Sequence, residues 1–214
     1  MLLSLTIICA GAGAILAGVN DFTKAPIAAS KAAALENAIK EVTPPFDNNP
    51  TQEAYKAVSA DGDSLLIYPA KKGGELIGVA VESNTQKGFS GEIKVIVGFD
   101  VEGKLFNYSV LQHAETPGLG SKMQEWFRTD KYKQNVLGRS LADGNLTVSK
   151  DGGDVDAITA ATISSRAFLD AVNRAYSAYA GTQKWDGESG ATSVGTDTET
   201  TSQTVTEKEG DKHE

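Results

Sequence analysis

The sequence predicts an α+β domain, a mainly antiparallel sheet flanked by helices, carried behind one apolar N-terminal helix. Three observations lead there. Four short runs rich in Ile, Val, Leu and aromatic residues crowd the middle of the chain: Leu65–Tyr68, Leu76–Val81, Ile93–Phe99 and Leu105–Leu111. Helical spacing of apolar residues is confined to either side of that block. Strands in succession with helices outside them describe α+β architecture, not the strand–helix alternation of a doubly wound sheet.

Taken in order, Met1–Val19 contains no charged residue. About 20 such residues cross a hydrocarbon core as a helix rising 1.5 Å per residue, so residues 1–20 are expected to be a transmembrane anchor. Three other fates compete. A cleavable signal peptide has a basic start, which this chain lacks. A lipoprotein site at Cys9 would follow a small residue, and Ile8 is not small. A buried core helix needs fewer uncharged residues than this. Charge does not orient the span, since only Lys24 follows it closely. Residues 21–50 then read as a membrane-proximal helix and linker. Ile27, Ala28, Ala32, Leu35 and Ile39 fall at helical spacing with Pro26 in a first turn, before Thr43-Pro44-Pro45 and Asn48-Asn49-Pro50 break the helix.

Residues 51–185 form the expected folded domain. Lys71-Lys72-Gly73-Gly74, Gly88-Phe89-Ser90-Gly91 and Asp100–Lys104 are turn-like separators, and Glu102-Gly103 marks a hairpin between the last two strands. Gly138–Lys150 is expected to add another extended segment. Ser164–Tyr179 reads as a helix whose stripe is Phe168, Val172, Tyr176 and Tyr179. Residues 186–214 hold too little apolar surface to offset ordering entropy and are expected to be a disordered acidic tail.

Charge and cysteine usage exclude several functions. Of a net charge of −8, the tail contributes −6, with eight acids against Lys208 and Lys212. The rest is near neutral, without the basic balance that nucleic-acid binding needs. Cys9 is the only cysteine and His113 and His213 the only histidines, so a disulfide framework or a protein metal site of the usual kinds is not expected. Redox chemistry on such a chain would fall to an organic cofactor.

Two segments have the composition of a binding site. His113–Met123 follows a strand and contains Glu115-Thr116-Pro117-Gly118-Leu119-Gly120, whose glycines permit left-handed backbone or close approach to a ligand. The same residues also make an ordinary Pro–Gly turn. Asp156–Ser165 contains Thr159-Ala160-Ala161-Thr162 directly before the Phe168–Tyr179 stripe. Thr and Ser there are N-cap candidates, yet a helix start also favours an anionic phosphate through its unpaired N–H groups and dipole. Local physics alone favours the cap. No Walker-type or dinucleotide glycine motif is present.

Thr159-Ala160-Ala161-Thr162, preceded by Asp156, resembles the [ST]-G-A-T motif of the FMN-binding domain family, and Glu115–Gly120 followed by Trp126 and Phe127 resembles that family's ETPGLG segment. With the anchor ending Val19-Asn20 and followed by Thr23 and Pro26-Ile27, the chain resembles, over about residues 1–180, the G subunits of Rnf-type ion-translocating oxidoreductase complexes. The C subunit of sodium-pumping NADH:quinone reductase shares the threonine motif and is a more distant match. The resemblance implies one covalent FMN, esterified through its phosphate to Thr162. It makes Asp156, Thr159, Ala160 and Ala161 the motif recognised by a flavin transferase, and Glu115, Thr116, Gly118, Leu119 and Gly120 the lining of the flavin pocket. It further implies an electron-transfer subunit, in a complex coupling ferredoxin:NAD+ electron transfer to Na+ or H+ movement. Its folded domain would lie on the periplasmic side of a bacterial inner membrane, beside the other Rnf subunits. The chain departs from the motif at Ala160, where the family usually has glycine. His113 is expected to be solvated, and Trp126 and Phe127 to belong to the core. No pattern marks a base or nucleophile for a separate substrate, so no independent turnover is expected. A cofactor-free anchored binding module would share the anchor, the sheet and the tail.

Overall fold

The computed structural model describes residues 2–183; the expected acidic tail, 186–214, lies outside them. Three α-helices, α1 (Leu2–Val42), α2 (Met123–Trp126) and α3 (Thr162–Gln183), accompany five strands, β1 (Tyr55–Val58), β2 (Ser64–Lys72), β3 (Glu75–Thr85), β4 (Ile93–Asp100) and β5 (Leu105–Gln112). The strands form one antiparallel meander in the order β1-β2-β3-β4-β5, which is the expected α+β architecture. The four apolar runs all lie in strands, and the Glu102-Gly103 hairpin joins β4 to β5.

The strand runs are nearly continuous in apolar residues because both faces of the sheet are covered. Along β4, Ile93, Val95, Val97 and Phe99 join the larger core, which includes α3, while Ile96 joins a smaller core at the end of α1. On the α3 side Phe168 stacks on Phe127 with ring centroids 4.6 Å apart and meets Tyr108 edge-on at 4.7 Å. Phe99 stacks on Tyr179 at 5.2 Å. The expected stripe is the packed one, with Phe168, Val172 and Tyr179 buried and Tyr176 packed beside them. Burial pushes the Tyr108 hydroxyl up to about 12, so it remains a donor, to the Met123 carbonyl at 2.8 Å.

On the other face only the last turn and a half of α1 is buried, through Ala38, Ile39 and Val42 against Tyr68, Ala80 and Ile96. Backbone proximity does the rest. A Cβ on Gly98 would overlap the Val42 carbonyl, and one on Gly78 would lie 2.8 Å from the Phe99 carbonyl oxygen and 3.2 Å from Pro44 Cδ. The Thr43 hydroxyl donates to the Ile39 carbonyl at 2.8 Å, closing the helix as the Thr-Pro-Pro sequence requires. Arg128 fastens this junction from the side, donating to Glu41 Oε1 at 3.0 Å and to the Tyr108 carbonyl at 2.5 Å.

Three expectations need correcting. Pro26 sits inside α1, not in the first turn of a second helix, because α1 runs unbroken for 41 residues. The exposed carbonyl that loses its partner there is left to the surroundings. Gly138–Lys150 supplies no strand; it makes isolated bridges, Lys104 to Ser140 and Val148 to Val155, and otherwise runs as turns. β1 was not expected, since of its four residues only Ala57 is buried. The N-terminal part of α1 is exposed throughout, and α1 is long and apolar enough to cross a membrane.

Candidate flavin site

Three loops at one edge of the α3 face meet around a cleft of about 330 Å³, lined by Phe89, Glu115, Thr116, Leu119, Gly120 and residues Ala160–Ser164. The first is the Gly88–Gly91 turn between β3 and β4, the second follows β5, and the third leads into α3.

Glu115 holds them together. Its side chain is buried, accepts the Ser90 N–H at 3.0 Å and accepts the hydroxyl of Ser164, two residues into α3. Space around this carboxylate requires glycine twice. A Cβ on Gly88 would stand 2.7 Å from Glu115 Oε1, and one on Gly120 would stand 2.5 Å from Ser164 Oγ and 2.7 Å from Glu115 Oε2. Glycine at 120 therefore serves packing between the loop and α3, and Gly118, at φ +75°, supplies the left-handed turn before it. The Glu115 N–H donates to His113 Nδ1 at 3.2 Å, so His113 supports the loop from behind and does not line the cleft.

The third loop turns sharply before α3. Ala160 adopts φ +62°, the left-handed region that glycine enters most easily, which explains why the family's motif places glycine at this step. The Ala161 N–H donates to the Ile158 carbonyl at 2.9 Å. Buried Ser165 locks the turn, accepting the Ile158 N–H and donating to the Ala161 carbonyl, both at 2.9 Å. Ser165 fixes the turn without satisfying a leading N–H of α3, and among the described residues Thr162, the first residue of that helix, makes no capping bond. Among the described residues the Thr162 hydroxyl has one partner, the Lys150 ammonium, which donates to Oγ1 at 3.2 Å. Ser165 is also the first residue of α3 whose N–H reaches a carbonyl four residues back, at 3.0 Å, so the N–H groups ahead of it lack intrahelical acceptors.

The expected site residues divide on these facts. Thr162, Ala160, Ala161, Glu115, Thr116, Leu119 and Gly120 line one cleft, whereas Thr159, Asp156 and Gly118 do not. Asp156 turns inward to the framework: Oδ1 accepts the Ser149 hydroxyl at 2.8 Å and Oδ2 the Lys133 N–H at 3.2 Å. The Ser149 bond, then the Lys133 bond, hold its carboxyl below the usual range. Trp126 anchors the same segment, its indole N–H donating to the Asp156 carbonyl at 2.9 Å, and Phe127 is fully buried. Phe89, Ile163, Ser164 and Lys150 were not singled out from sequence. Phe89, Ile163 and Leu119 form an exposed apolar rim, at 66%, 48% and 40% exposure.

A helix start with unpaired N–H groups, a hydroxyl and the ammonium that donates to it suit a phosphate ester, and an apolar rim suits a flat ring system. The class follows from comparison as well: residues 88–177, covering β4, β5, the second and third loops and most of α3, match the FMN-binding domain. Whole-chain similarity goes further. The G subunit of the ion-translocating oxidoreductase complex from Photorhabdus laumondii is 35% identical over 180 residues, covering 80% of this chain and 85% of that protein. The corresponding G subunit of Cereibacter sphaeroides (ATCC 17029) is 34% identical over 165 residues, 75% and 74% of the two chains. That of Escherichia coli K12 is 31% identical over 180 residues, 81% and 86%. The chain belongs to the G-subunit family of ion-translocating oxidoreductase complexes.

Proposed function

We propose that the protein is an electron-transfer subunit carrying one FMN, esterified through its phosphate to Thr162. The complex it serves couples ferredoxin:NAD+ electron transfer to Na+ or H+ translocation. The observation that carries this reading is the state of Thr162: a hydroxyl that makes no capping bond among the described residues, at the start of a 22-residue helix, opening on the cleft. Bound there, FMN supplies one- and two-electron chemistry that no side chain offers.

This chain's residues hold and shape the site. Thr162 is the tether. The leading N–H groups of α3 face the phosphate charge. Phe89, Leu119 and Ile163 offer an apolar surface to the ring, and the Glu115–Ser164 bond fixes the spacing of the loops that frame it. Asp156 acts one step removed, by setting the path of the 156–162 segment for a flavin transferase, with Thr159 exposed on the same segment. Redox traffic then runs to and from other subunits, with no separate substrate turned over. The membrane location rests on α1, which crosses the bacterial inner membrane once and leaves the domain on the periplasmic side. A covalent tether suits that side, where a lost flavin is not readily replaced.

The test is a denaturing gel of the full chain co-expressed with a competent flavin transferase. The expected result is a fluorescent flavin band for the native sequence, complete loss in Thr162→Ala, and reduced but persistent label in Thr159→Ala. A labelled Thr162→Ala band refutes the attachment point, and an unlabelled native band refutes the covalent flavin.

A further inference from the structure

Lys150 lies in a 3-10 turn, Ser149–Asp151, twelve residues before Thr162. Nothing in the sequence marked it, and the way the fold holds its turn is specific. Val148 and Val155 are buried and bridge each other, while the Ser149 N–H donates to the Val155 carbonyl at 2.8 Å and the Val155 N–H to the Thr147 carbonyl at 3.1 Å. A Cβ on Gly153 would overlap the Thr147 carbonyl, so the turn closes as tightly as backbone allows. The turn is fastened to α3 as well. Arg166 grips Asp151 with two parallel bonds of 2.7 Å, Nε to Oδ2 and Nη2 to Oδ1.

Arg166 is one helical turn beyond Thr162, and the two share a face of α3. Two contacts therefore join the same pair of segments side by side: Asp151 to Arg166 and Lys150 to Thr162. They differ in charge balance. The first is a neutralised ion pair. The second sets a full positive charge against a neutral hydroxyl, and among the described residues Lys150 makes no ion pair and no other hydrogen bond. A lysine carried on a firmly held turn, beside an Asp151 already paired with Arg166 and at hydrogen-bond distance from a neutral hydroxyl, is placed for a further anion.

We propose that Lys150 is the positioning residue of the attachment site. It orients the Thr162 hydroxyl in the unmodified chain and is the counter-ion of the phosphodiester once FMN is joined there. This rests on the reading of Thr162 as the attachment point. Lysine suits the task because a single mobile ammonium serves first a hydroxyl and then a phosphate oxygen. It removes no proton from Thr162: in the transfer a P–O bond forms to Thr162 Oγ1 as the phosphoanhydride bond of a flavin dinucleotide donor breaks, the nucleoside monophosphate leaves, and the hydroxyl proton passes to the transferase or solvent.

The test compares the native chain with Lys150→Gln, Lys150→Arg and Thr162→Ala, each full length and exposed to one flavin transferase preparation. Label per protein is followed over time by in-gel fluorescence and confirmed by intact mass, with thermal melting as a control for folding. The labelling rate is expected to fall on the order of tenfold in Lys150→Gln, the loss of one charge-assisted hydrogen bond, and to recover largely in Lys150→Arg, with melting unchanged in both. In loaded protein, the 31P resonance of the phosphodiester is expected to shift in Lys150→Gln and much less in Lys150→Arg. Native-rate labelling of Lys150→Gln, or an unmoved 31P resonance, overturns the role of Lys150 and leaves the attachment point standing. Absence of label on the native chain, or label on Thr162→Ala, overturns the attachment point itself.

Discussion

The two helices that cover the sheet do so by opposite means. α3 contributes volume: Phe168, Leu169, Val172 and Tyr179 fill space between the helix and the strands, and four alanines let the helix settle close. α1 contributes little volume. Three of its residues are buried, and what fits it to the sheet is the absence of side chains on Gly98 and Gly78, which brings the Val42 carbonyl and Pro44 directly onto the strands. A seat made by volume tolerates loss badly, and a seat made by proximity tolerates addition badly. The candidate flavin site lies at the edge of the first kind of surface, tied to it through Ser164 and Ser165.

Substitutions of opposite sense separate the two. The largest effect is expected from Phe168→Ala, which removes a ring stacked on Phe127 and edge-on to Tyr108 and should cost about 3–5 kcal/mol of unfolding free energy. Urea denaturation of the folded domain measures it, and a loss below about 1 kcal/mol would mean that the α3 face does not depend on volume. Gly98→Ala comes next. One added methyl meets the Val42 carbonyl, and overpacking of this kind costs about 1–3 kcal/mol. Hydrogen exchange should show faster opening at residues 38–42 with α3 unchanged; uniform loosening of both helices would erase the contrast. The smallest effect runs the other way. Ala160→Gly relieves a left-handed alanine at the rim of the α3 face and should stabilise by about 1 kcal/mol at most, seen as a small rise in melting temperature with labelling at Thr162 intact.

What could be read in advance follows the same division. β2 to β4 were visible because both faces are buried, which makes their apolar runs long, and β5 from its apolar and aromatic residues although only Leu105 and Tyr108 are buried, whereas β1 has one buried residue in four and carries almost no pattern. α3 was visible from its stripe. The junction at Gly98 was not, since a glycine in a strand does not announce what approaches it. In the site, the residues that sit in two contiguous motifs were named, but Phe89 reaches the cleft, and Lys150 the Thr162 hydroxyl, from separate loops and only through folding. Asp156, expected as part of the motif read by a flavin transferase, accepts bonds from Ser149 and Lys133 and does not line the cleft. A cap was expected from Thr and Ser; Ser165 instead ties the turn together through Ile158 and Ala161, and the Thr162 hydroxyl accepts from Lys150.

The unbroken course of α1 has a mechanical meaning. With about 20 of its residues in a bilayer, the remainder up to Val42 is a stiff mast whose foot is set by the lipid and whose head is clamped into the sheet at Gly98. Elevation and heading of the domain are then tied together: each residue added to the mast raises the domain by about 1.5 Å and swings it by about 100°. A carrier mounted this way meets its neighbours at one altitude and one bearing, like a lamp on a keyed post, and not by wandering on a leash.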